Sequence, residues 1–279
     1  MPALYEGNLQ VNVTQEGKQL PVENATVTIT DTGNPTEIIE RFTTDSSGQT
    51  PLFGLPAPNP EYSLEITYQQ PYSEYNCLVE AEGFEPAYVS AMQILASTNS
   101  FQPIPLRPLT SNRLPNTIVI PPHTLYGDYP PKIPEPEVKP VDESGDIVLS
   151  RIVIPEYVIV HDGPPNDDGA PDYYVKYRDY IKNVASSEIY ATWPESTIYA
   201  NVLAIMSFTL NRVFTEWYRG KGYDFTITSS TAFDHKWINQ KTIYTNISQI
   251  VDSIFANYLS RPNVLQPILT QYCDGKRVT

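Results

Sequence analysis

The sequence has no uninterrupted apolar run of the roughly 18 residues that a membrane-spanning helix needs. Its first ten residues, MPALYEGNLQ, have neither the basic start nor the apolar core of a secretory leader. A chain made and first retained in a cytosol, with no membrane partner, is expected. Cysteine is scarce: Cys77 and Cys273 make no disulfide framework, and each is read as a reduced thiol. Basic residues are few as well, 18 against 32 acidic ones for a net charge of -14, which excludes nonspecific nucleic-acid binding, since that needs a basic footprint.

What the chain does have is length, proline and tyrosine. Its 279 residues suffice for two domains with separate cores, and a hydrophobic content of 41% suits a globular protein. Of the 27 prolines, 15 bunch between residues 103 and 171, which splits the chain. The charge is split too. Residues 1–150 carry 19 acidic and 6 basic side chains (net -13), while residues 151–279 carry 13 and 12 (net -1). A nearly neutral second half can approach an anionic polymer without the repulsion that the first half would feel.

Residues 4–110 read as short strands. Leu9, Val11 and Val13 alternate with polar residues, as do Ala25, Val27 and Ile29, and turn signals such as Asp45-Ser46-Ser47-Gly48 separate the runs. This predicts a small all-β sandwich. The segments PVENATVTI (21–29), TTDSSGQTPLFGLP (43–56) and YNCLVEAEGFEPAYV (75–89) resemble, in order, the transthyretin-like or carboxypeptidase-regulatory-like sandwich. That resemblance implies a fold and almost nothing about function. Residues 111–150 then read as a Pro-rich linker, stiff and open to proteases, and the run from Ile152 to Val160 as the first strand of a second domain, 151–279.

The rest of the second domain reads as mainly helical. Tyr177, Ile181 and Val184 fall at i, i+4 and i+7, which predicts a helix over 171–188 with Glu188 continuing the apolar face. Thr192 and Glu195 have the spacing of a capping box and predict a second helix, lined by Ile198, Val202, Ile205, Leu210, Val213 and Trp217 and ended by Gly220 to Gly222. A third is predicted over 244–259. A carboxylate on the last turn of a helix and on its apolar face meets the negative end of the macrodipole and loses hydration. Both effects favour a held proton and a general acid. Helix geometry alone also allows Glu188 to reach solvent or to pair with a nearby Lys182 or arginine.

Tyr180, Val184, Glu188, Trp193-Pro194, Glu195 and Ala200, followed by a long apolar helix, are similar to the core of the SpoIID family of sporulation proteins. Asp234-His235-Lys236-Trp237 takes the place of that family's DxxY segment, with Trp for Tyr. Tyr272 to Thr279 takes the place of a final Gly-rich segment, with Cys273 and only one glycine. The resemblance implies a peptidoglycan lytic transglycosylase whose acid/base is Glu188. The domain order resembles the clostridial spore cortex-lytic enzymes, which implies a spore location, synthesis in the mother-cell cytoplasm, and a zymogen cut in the linker by a subtilisin-like protease. Val148 to Ile154 is the expected place of the cut. Those enzymes continue beyond the equivalent of Thr279, so the chain is expected to stop inside its catalytic domain.

The fold class expected is therefore an all-β transthyretin-like sandwich followed by a mainly helical α+β SpoIID-like catalytic domain. Tyr190, Trp193, Trp237 and Tyr272 are candidate sugar contacts, the first three through aromatic faces and Tyr272 by position; any of the three rings can equally be core. No cofactor is required. His235 and Cys273 are two candidate zinc ligands where a tetrahedral site needs four. His123 and His161 read as surface residues. The rival function is a noncatalytic spore-coat or cell-wall binding and scaffolding protein.

Overall fold

The structure is a computed structural model and describes residues 5–65, 69–109, 116–123, 130, 133, 135, 149 and 151–270. Its contacts divide the chain into two compact units. Unit 1 comprises Met1–His123, Tyr190–Trp193 and Asn239–Asn246; unit 2 comprises Thr124–Ile189, Pro194–Ile238 and Ile247–Thr279. Neither unit is a single stretch of sequence.

Unit 1 consists of two sheets around one core. The first has the order β12 (Ile243–Tyr244), β7 (Asn99–Leu106), β1 (Tyr5–Gln15), β4 (Phe53–Ala57). The second has the order β3 (Asn34–Thr43), β2 (Thr26–Asp31), β5 (Tyr72–Glu80), β6 (Ala87–Leu95), β8 (Asn116–Val119). Because side chains alternate faces along a strand, Leu9, Val11 and Val13 of β1 all point inward. They meet Val27 and Ile29 of β2, Cys77 and Val79 of β5, and Ile104 and Leu106 of β7. Each such aliphatic side chain contributes about 1.5–3 kcal/mol by leaving water.

Cys77 lies within this core, and burial pushes its thiol well above the ordinary range. It is expected to resist alkylation at neutral pH until the protein unfolds, as peptide mass mapping after a timed iodoacetamide pulse would show. Gly48 closes the turn that begins at Asp45, with a φ of +74°. A Cβ there would stand 2.3 Å from the carbonyl oxygen of Val13. Gly48→Ala therefore combines left-handed strain of about 1–2 kcal/mol with a backbone clash. A urea midpoint shifted down by at least that amount is expected.

Unit 2 contains a three-stranded sheet in the order β10 (Asp172–Lys176), β9 (Tyr157–His161), β11 (Ile227–Thr228). Its helices are α1 (Tyr177–Glu188) and α2 (Glu195–Phe214), joined by α3 (Thr245–Ile254) from Ile247 onward. This corrects the expected fold class. Among the described residues the structure is mostly β, 35% strand and 21% helical, with three sheets and three helices, and they form no mainly helical SpoIID-like domain after the sandwich. The helix predicted from Pro171 begins only at Tyr177, because Asp172 to Lys176 pair antiparallel with β9.

The second helix also differs at its start. Its cap position is Pro194, without a side-chain cap, and the Thr192 hydroxyl bonds instead to that of Ser63 within unit 1. Downstream, α2 buries polar groups at Ser207, Thr209, Asn211 and Arg212 as well as apolar ones. Ser207 and Thr209 donate to the carbonyls one turn back, and Asn211 donates to Pro267 O at 2.8 Å.

Candidate active site

Arg212, 2% exposed near the end of α2, is the centre of a buried polar cluster in unit 2. Its Nε donates to Asp234 Oδ1 at 2.6 Å, and its two terminal nitrogens meet both oxygens of Glu135 at 2.7 and 2.6 Å. The guanidinium also lies over the rings of Phe208, Trp217 and Tyr218. Burial opposes the arginine's charge, and Asp234 and Glu135 more than restore it.

Asp234 is wholly buried. Its Oδ2 accepts from the Tyr218 hydroxyl, the Thr228 amide and the Thr228 hydroxyl, at 2.7, 2.9 and 2.7 Å. Burial alone raises its carboxyl, but Arg212 and the Tyr218 and Thr228 hydrogen bonds outweigh that and hold it below the usual range. Burial and then the Asp234 charge push the Tyr218 and Tyr180 hydroxyls well up, so both stay protonated at neutral pH.

From Asp234 the chain runs beside α1 and is pinned at successive residues. His235 packs against Phe208 with ring centres 4.4 Å apart, and its Nδ1 shares a 3.2 Å hydrogen bond with the Tyr180 hydroxyl. Ile238 exchanges two hydrogen bonds with the Asn183 side chain, at 2.7 and 3.0 Å. Between them, the Lys236 amide donates to Glu188 Oε1 at 2.7 Å. Glu188 is the last residue of α1, half-buried, with its Oε2 shielded from solvent. Burial lowers the Lys236 ammonium, and the Glu188 charge partly offsets this.

Lys182, the alternative partner for Glu188, bonds to Asp252 at 2.7 Å. Thus Glu188, Tyr180, Asp234, His235 and Lys236 share one neighbourhood. Asp234 and Glu135 are both bound to Arg212 there. Arg212 also lines a cavity of about 210 Å³ with Tyr157, Glu216, Trp217, Tyr218 and Phe225, and Glu188 is not among its lining residues.

The candidate sugar contacts are divided. Trp237 belongs to unit 2, 6% exposed, its ring 5.3 Å from that of Tyr173. Tyr190 and Trp193 belong to unit 1, where Tyr190 packs 4.6 Å from the His123 ring and donates to His123 O. The Trp193 indole donates to Ser63 O at 2.8 Å. Tyr272 and Cys273 lie outside the described residues. No group of three or more His, Cys, Asp or Glu side chains able to hold a metal occurs among the described residues.

The reading of His123 and His161 as surface residues is corrected, since both are buried. His161 Nδ1 is 2.8 Å from Asp172 Oδ1, and its ring stacks on Phe225.

No protein-family model matches the sequence, and no curated protein matches it. Over 38% of its length the chain is similar to a solved structure of the TIE protein of Bacillus anthracis, with 16% identity and a TM-score of 0.27. It covers 18% of that protein, well under two thirds. Another is 5-hydroxyisourate hydrolase of Klebsiella pneumoniae, with 14% identity over 37% of this chain and 92% of that one and a TM-score of 0.24. A third is GBS52, the minor pilin of Streptococcus agalactiae, with 11% identity over 40% and 49% and a TM-score of 0.26.

The cluster's main members escaped the sequence reading. Arg212 is not singled out by the apolar spacing of its helix, and Glu135 lies in the Pro-rich stretch. The usable signal was a lone arginine among Phe208, Leu210 and Phe214, since a charge on a buried face requires a partner.

Proposed function

We propose that the chain carries a peptidoglycan lytic transglycosylase that cleaves MurNAc–GlcNAc bonds of the spore cortex during germination and leaves 1,6-anhydro ends. Glu188 is its acid and then its base. The observation that carries this reading is the division of labour among carboxylates. Asp234 and Glu135 are bound to Arg212, while Glu188, at the end of α1, has Oε1 oriented by the Lys236 amide.

A hydrolase of this kind needs two carboxylates flanking the bond. A transglycosylase needs one. Glu188 protonates the bridging oxygen as the glycosidic C–O bond breaks, then takes the proton of the sugar's 6-hydroxyl as that oxygen closes on C1. The chemistry requires no metal. The local resemblance around Glu188, Trp193-Pro194 and Glu195 supplies the substrate class, the spore location and activation by a subtilisin-like protease cutting near Val148 to Ile154.

A specific observation favours the scaffolding side of the rival reading, a noncatalytic wall-binding or scaffolding protein. The rings of Tyr190 and Trp237 are packed inside their units and offer no open face to a sugar. Digestion of purified cortex followed by mass spectrometry separates the two. Anhydromuramyl ends are expected; a chain shown by circular dichroism to be folded, uncut or cut in the connector, that releases none sinks the enzyme reading.

A further inference from the structure

Each unit takes residues from both sides of the Pro-rich stretch. The segment Asn239–Asn246 closes unit 1: β12 pairs antiparallel with β7, Ile243 opposite Phe101 and Tyr244 opposite Ser100. Beside that pairing, Gln102 donates to Gln240 O at 2.8 Å and accepts from the Thr242 hydroxyl at 2.7 Å. The Lys241 ammonium bonds to Gln93 Oε1, and the Tyr244 hydroxyl to Gln93 O. Lys241, Thr242, Tyr244, Gln93 and Gln102 are each 0% exposed. In the other direction, Glu135 supplies the bidentate partner of buried Arg212 in unit 2, and the Ile133 amide donates to Ala232 O at 2.8 Å.

We propose that a cut in the chain between Glu135 and Leu149 yields a stable two-chain protein rather than a freed C-terminal domain, because each fragment completes the unit that the other begins. Departure of the 239–246 segment would take the Lys241 ammonium from Gln93 Oε1 and both Gln240 O and the Thr242 hydroxyl from Gln102, leaving these glutamine side chains only their bonds to Pro121 O and Pro103 O, and would expose the face that covers Lys241. Departure of the first fragment would remove Glu135 from Arg212. Buried polar and charged groups that lose partners in this way hold an interface together, since their exposure as bare fragments recovers only water. This inference does not rest on the glycan-cleaving reading. If the connector is cut in the cell, the acidic sandwich remains part of the molecule that acts.

The test inserts a site for a sequence-specific protease between Ser144 and Gly145 of the full chain. After cutting, two bands are expected in denaturing electrophoresis and one peak, at the size of the uncut protein, in native size exclusion. Two separate native peaks would overturn the proposal. A second chain carries Glu135→Gln, Gln102→Ala and Lys241→Met. Its fragments are expected to associate at least about tenfold more weakly. Fragments of that chain that hold together as tightly as the original ones overturn the assignment to these contacts, and if the variant does not fold, the elution of the original cut chain decides.

Discussion

Replacing Arg212 by alanine is expected to destabilise unit 2 by about 3–5 kcal/mol, among the largest effects of any single substitution in the chain. The loss comes less from the missing attraction than from what stays behind. Asp234, wholly buried, keeps its Tyr218 and Thr228 donors but loses its cation, and Glu135 loses both of its hydrogen bonds to the fork. The contacts of the guanidinium with Phe208, Trp217 and Tyr218 are lost as well.

The pH dependence gives an independent signature. In the native protein the Asp234 carboxyl is held below its ordinary value, so its contribution is present above the unfolded-state value, near 3.8, and is lost as pH falls through the folded one. In the variant, burial is opposed by the Tyr218 and Thr228 donors without the arginine, so the carboxyl is held down less. Its contribution above the unfolded-state value is smaller, and less is lost as pH falls. Urea unfolding at several pH values is expected to show the variant gaining on the native protein as the solution is acidified toward pH ~4. A loss under about 1 kcal/mol at neutral pH, with parallel pH profiles, would mean that the cluster does not hold unit 2 together.

The parts of the fold that were legible in the sequence are those that repeat locally. Leu9, Val11 and Val13 have the period of a strand, and all three are fully buried. Tyr177, Ile181 and Val184 have the period of a helix, and α1 runs through them to Glu188. The errors occur where a distant partner decides. Asp172 to Lys176 could extend that helix, but the pairing with Tyr157 to His161, which has no counterpart in a local window, makes them a strand. Thr192 has the spacing of a cap, yet Ser63, more than a hundred residues away in sequence, takes its hydroxyl.

The same holds for the candidate site. The place of Glu188 at the end of α1 was legible because it is a local fact. The Lys236 amide that orients it, the Arg212–Asp234 pair and Glu135 are long-range facts, and no spacing encodes them. The two-residue strand β12 is too short to carry a period at all, so nothing local announces that residues beyond the connector complete the first sheet.

Glu188→Gln is expected to cut the release of anhydromuramyl ends by about 10²–10⁴-fold, the usual contribution of one positioned acid or base. The amide cannot donate the proton that the leaving oxygen needs, nor accept one from the 6-hydroxyl, so both halves of the reaction fail together. Its oxygen can still accept the Lys236 amide at the place where Oε1 does now, so the segment from Asp234 to Ile238 keeps its course. Stability is therefore expected to change by less than about 1 kcal/mol. This separates Glu188 from Asp234, since Asp234→Asn weakens the link to Arg212 and should lose stability and product in parallel. Paired measurements of the urea midpoint and of anhydro product for the two variants decide between the roles. If Glu188→Gln releases anhydromuramyl ends at the native rate while remaining folded, Glu188 is not the acid, and its position at the end of α1 serves only to anchor Lys236.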